Sequence, residues 1–152
     1  MAKTDSGLKE SAINEITGQI CIASILNESK IESANILALL NINTAIENTL
    51  KLYCLNSGLI REHETDSEEQ FHAMLSKTKE QNKIVENERS AIIKFHELSN
   101  QYHQEQNPKV DDASIVEYLR LAKILLAHLF DFRASKDEWE KMKALVKKTM
   151  IE

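Results

Sequence analysis

Apolar residues recur along this chain at three- and four-residue intervals, the spacing that gathers side chains on one side of an α-helix. Ile13, Ile16, Ile20 and Ala23 predict a first amphipathic helix over about 8–27, with Glu10, Glu15 and Gln19 elsewhere on the wheel. A second helix, about 29–55, is apolar around much of its circumference through Ile36, Leu37, Leu39, Leu40, Ile42, Ala45, Ile46, Leu50 and Tyr53. That pattern suits the centre of a bundle or a dimer interface. Asn56, Ser57 and Gly58 end the helix, glycine accepting the left-handed conformation common at helix ends, and a loop is predicted to run to about Asp66. Thr65 and Glu68 have capping-box spacing and open a third helix, with Phe71 and Leu75 as its short buried stripe and its end near Gln81.

The fourth helix, about 84–105, carries two stripes. Ala91, Phe95, Leu98 and Tyr102 stack on one side, and Arg89, His96, Asn100 and His103 line up roughly a quarter-turn away. The helix ends before Asn107 and Pro108, because the residue preceding a proline disfavours helix. The fifth starts after Asp111 or Asp112, buries Ile115, Leu119, Ala122, Leu126 and Leu129, and ends near Phe132. Ser135 and Glu138 form a second capping box. The last helix has Trp139, Met142, Val146 and Met150 on one side, with Lys136, Lys141, Lys143, Lys147 and Lys148 over the remainder. The expected architecture is all-α, a single bundle of five or six antiparallel helices spanning 1–152, with a polar tail over about 1–7.

Composition supports this reading. A chain of 152 residues fits one domain with a sizeable core, and three glycines, one proline and 28% charged residues favour helix over sheet. A net charge of -5 argues against a broad surface for duplex nucleic acid, which needs clustered cations, and leaves room only for a local RNA site. Cys21 and Cys54 are far apart with no CxxC, as expected of two buried thiols in a reduced, cytoplasmic chain rather than a disulfide or zinc site. The opening MAKTDSGLKES lacks the apolar core of a secretory signal. The most apolar stretch, 36–46, is interrupted by Asn41 and Asn43 and falls short of the roughly 20 residues that span a bilayer. A soluble protein without membrane association is expected.

The polar stripe on the fourth helix is the candidate site. Histidine titrates near neutrality, so His96 and His103 can share acid and base roles while Arg89 holds a phosphate. The plainer alternative is that these groups make ordinary hydrogen bonds beside a buried stripe. The segment REHETDSEEQFH offers Arg61, His63, Glu64, Asp66, Glu68, Glu69 and His72, but without HExxH or a repeated ExxH it reads as a solvated loop and helix start. No metal or cofactor is expected. The terminal lysines are open to RNA phosphates or an acidic partner, and equally to simple stabilisation by the helix dipole. No Gly-rich phosphate loop, GxSxG elbow or cysteine nucleophile is present, against P-loop and serine-hydrolase chemistry.

ALLNINTAIENTLKLY, IIKFHELSNQYH and YLRLAKILLAHLF together resemble the HEPN family of all-α domains, a likeness that covers most of the chain. The resemblance implies a helical bundle that dimerises. Many such domains are metal-independent ribonucleases in toxin or antiviral systems, often beside a nucleotidyltransferase antitoxin. Their signature is an arginine, commonly followed by asparagine, with four to six residues in all before a histidine. Here Ser99 stands in the arginine's place before Asn100, and His103 follows Ser99 after three intervening residues. Arg89 and His96 have six residues between them, but Ser90 replaces the usual polar neighbour. The resemblance therefore implies a homodimeric binding or regulatory module, catalytically weak or inactive, with His96, Asn100 and His103 facing a cleft near the dimer axis. RNA, a nucleotide or a nucleotidyltransferase-type antitoxin are the partners it implies. Two alternatives are an active endoribonuclease, with the histidines as acid and base and Arg89 offsetting phosphate charge, and a structural helical adaptor.

Overall fold

Helix-forming residues dominate and prolines are nearly absent, so the chain folds into long helices. The computed structural model describes residues 2–61, 68–103 and 109–151, and their side chains except those of 2–9, 32, 103 and 151. Among the described residues there are six helices and no strand: α1 (Ala2–Glu28), α2 (Glu32–Asn56), α3 (Glu68–Glu80), α4 (Glu86–His103), α5 (Asp112–Phe130) and α6 (Lys136–Ile151). Thr65, the loop to Asp66, and Asn107 with Pro108 lie outside the described residues. α1 begins at Ala2, so helix replaces most of the expected polar tail; Asp5, Ser6 and Gly7 are weak helix formers, but none forbids helix as proline would.

α2 is the hub. It packs on α1, α3, α4 and α5, while α1 also touches α5 and α6. Ala38, Leu39, Ile42, Ala45, Ile46 and Leu50 are completely buried, which is what an apolar circumference requires when neighbours lie on several sides. α5 buries its expected positions Ile115, Leu119, Ala122, Leu126 and Leu129, and adds Tyr118, Leu121 and Leu125. α6 lies on α1 through a short apolar face anchored by Trp139.

α4 departs from its predicted orientation. Ile92, Phe95, His96 and Ser99 are buried, Ala91 and Leu98 only partly, and Tyr102 is exposed. The inward face is thus turned roughly a quarter-turn from the apolar stripe toward the polar one. His96 goes inside because α3 covers that side of α4 and brings partners for it.

Local signals explain most helix ends. The Ser135 amide donates to Glu138 Oε1 and the Glu138 amide to Ser135 Oγ, both at 3.1 Å, the reciprocal pair of a capping box. Asp111 caps α5 by accepting from the Ser114 amide at 2.8 Å. Gly58 ends α2 in the left-handed region at φ 70°, as expected, and three further left-handed residues, Lys30, Asn82 and Asp131, follow α1, α3 and α5. Asn and Asp tolerate that conformation, whereas at Lys30 a β-carbon sits against the following carbonyl. Lys30→Gly is expected to raise stability by about 0.5–1 kcal/mol, despite loss of its exposed ion pair with Asp112. A urea melt that shows no gain would mean that the turn relaxes this strain by other means.

Candidate functional site

Three helices converge on His96. From α4 its ring projects inward at 1% exposure and stacks on Phe71 of α3, with centroids 3.8 Å apart and planes 17° from parallel. Nδ1 lies 2.9 Å from Asn43 Oδ1 of α2, and Nε2 lies 2.8 and 3.0 Å from the two oxygens of Glu68, the first residue of α3. Asn43 is held in turn, since its Nδ2 donates to Glu47 Oε1 at 3.1 Å and its Oδ1 accepts from the Tyr118 hydroxyl at 2.8 Å. Asn100 Nδ2 donates to Glu68 Oε1 at 3.2 Å.

This wiring engages both ring nitrogens. With Nδ2 turned to a carboxylate, Asn43 presents only an acceptor to His96, so Nδ1 carries a hydrogen. Nε2 faces the two Glu68 oxygens, and a single proton joins ring and carboxyl there. The ring thus bridges α2 and α3, with Glu68 against one nitrogen and Glu47 at 3.6 Å from the other. Burial pushes the Glu68 carboxyl upward, but hydrogen bonding and charge from His96, helped by Asn100 and His72, outweigh it and hold it below the usual carboxylate range. Burial, reinforced by the charge of Glu47, pushes the Tyr118 phenol well above its ordinary value, which keeps it a hydroxyl donor to Asn43.

Of the four candidate residues, His96 and Asn100 meet at Glu68. Arg89 pairs with Glu86 one turn earlier, Nη1 to Oε1 at 3.1 Å. The His103 side chain lies outside the described residues. Ser99 is fully buried, and its Oγ has no hydrogen-bond partner among the described residues. Asn43, Glu47, Phe71 and Tyr118 were not visible as site residues in the sequence; an asparagine inside the most apolar run was the one signal. Of the segment 61–72, Arg61 and 68–72 are described, and among the described residues no group of three or more His, Cys, Asp or Glu is arranged to hold a metal ion.

Both cysteines are free and buried, and burial raises each thiol above its ordinary value. Among the described residues no helix is long and apolar enough to cross a membrane. No protein-family model matches the chain, and no curated protein or solved structure matches it either.

Two predictions follow from the network. A buried hydroxyl without a partner costs about 1–3 kcal/mol, so Ser99→Ala should leave stability unchanged or raise it by up to about 1 kcal/mol. A clear loss in a urea titration would reveal a partner for Oγ. Because the folded Glu68 carboxyl titrates below its unfolded value, its contribution is present above about pH 4.3 and is lost as pH falls through the lower folded value. Its side chain is 59% exposed and screened by solvent, so the effect should be modest: the wild-type urea midpoint should drop more steeply on acidification than that of Glu68→Gln. Parallel acid limbs would show that Glu68 does not couple to folding.

Proposed function

We propose that this chain is a HEPN-like, homodimeric binding or regulatory module of the cytoplasm, catalytically weak or inactive, that serves RNA- or nucleotide-linked toxin–antitoxin or defence processes. The observation that carries the inactive part is the enclosure of His96. General acid–base catalysis needs a ring nitrogen within hydrogen-bond reach of substrate, and both nitrogens of His96 are occupied within the fold by Asn43 and Glu68. Ser99 adds to this. It stands in the place of the signature arginine yet points into the core, where a guanidinium would have to be buried. The dimer and the RNA link rest on the likeness in helix patterning, and two free thiols fit a reducing compartment.

The test combines chemistry with stability. Purified wild type should leave labelled RNA intact in EDTA, run as a dimer by light scattering at micromolar concentration, and lose about 3 kcal/mol of stability on His96→Ala, because Asn43 and Glu68 are left facing an empty site. RNA cleavage abolished by His103→Ala would replace this reading with an active ribonuclease. A strict monomer would remove the dimer.

A further inference from the structure

On the far side of the bundle, α1, α5 and α6 enclose a pocket of ≈410 Å³ that shares no residue with the His96 network. That volume lies within the range of small-molecule sites. Its apolar floor includes Ile20, Leu119 and Trp139. Four cations line it against two carboxylates, an excess of positive charge in a chain whose net charge is -5.

The cations are not equivalent. Lys143 is buried and bonded to Glu28 and Glu140, so both carboxylates of the pocket are already engaged. Arg120 is paired with Glu117. Lys123 has no carboxylate partner among the described residues; its ammonium lies 4.9 Å from the centroid of the Trp139 ring, half-buried. Burial and then the charge of Lys143 pull the Lys123 ammonium below its ordinary value, and the charges of Cys21 and Glu140 do not offset this. An unpaired cation beside an apolar pocket is costly, and an anion entering the pocket relieves that cost. Lys136, exposed at the mouth, has no carboxylate partner among the described residues either.

We propose that this pocket binds a small organic anion, a carboxylate or phosphate on an apolar body, with its charged head on the Lys123 ammonium and its body over Ile20, Leu119 and Trp139. The chain's single tryptophan is in the pocket wall, so its emission reports occupancy directly. Octanoate and octyl phosphate should each give a saturable change in that emission, the tighter of the two naming the head group. Octan-1-ol should bind at least about tenfold more weakly, as expected for loss of a charge-assisted hydrogen bond, and octylammonium should not bind. Lys123→Met should weaken octanoate about tenfold while leaving octanol binding in place, and Lys123→Arg should restore octanoate. Equal binding of octanoate and octylammonium to the wild type, or no saturable change with either anion, overturns the proposal without recourse to any variant.

Discussion

A buried histidine organises this bundle. His96 is accommodated in the interior because Asn43 and Glu68 engage its two nitrogens and Phe71 covers its face. Each partner is supplied by a different helix: Asn43 and Glu47 by α2, Glu68 and Phe71 by α3, and Tyr118, which fixes the Asn43 amide, by α5. Phe95, next to His96, stacks on Tyr118 with centroids 4.7 Å apart and closes the circuit. A slide of any of the four helices by one turn would separate a buried polar group from its partner. Apolar packing tolerates slippage far better, so this network fixes the register that leucines and isoleucines alone leave degenerate.

α1 and α6 stand outside that circuit and are joined by a buried cation. Lys143 enters the α1–α6 contact and is neutralised by Glu28 across the interface and Glu140 on its own helix. Burial lowers a lysine, and here the two carboxylates outweigh burial and hold Lys143 above its ordinary value. Lys123 is the contrasting case. It shares the same pocket and is half-buried, yet burial dominates because the nearest charge is another lysine. Of these two cations, Lys143 has its partners and serves the α1–α6 contact, whereas Lys123 faces the pocket.

The helices were legible because each is encoded within its own turn or two. Apolar spacing located all six to within a few residues, apart from the start of α1, and the Ser135–Glu138 box and the Asp111 cap are formed by residues three apart. Only Gly58 announced its left-handed conformation, whereas Lys30, Asn82 and Asp131 adopt it without a residue type that demands it. The site was half legible. The polar stripe of α4 marked His96 and Asn100, but periodicity in one helix says nothing about acceptors 53 residues earlier on α2 or 28 earlier on α3. Asn43 looked like an interruption of an apolar run and proved to be the pivot of the network. Glu68 reads as a capping residue, and both its carboxylate oxygens also lie within reach of His96 across the α3–α4 contact.

The same wiring constrains where chemistry can occur. A catalytic imidazole must exchange protons with a substrate, and one whose two nitrogens are both hydrogen-bonded inside the fold must break a bond that holds helices together before it can do so. For His96 that would uncouple α4 from α2 or α3, with the unpaired Asn43 or Glu68 left behind as an added penalty. Asn100 is tied to the same carboxylate. The polar stripe is therefore engaged within the fold at its centre, whereas other polar groups remain unmatched. Lys123, beside Trp139 and an open pocket, is among these, while His96 is not.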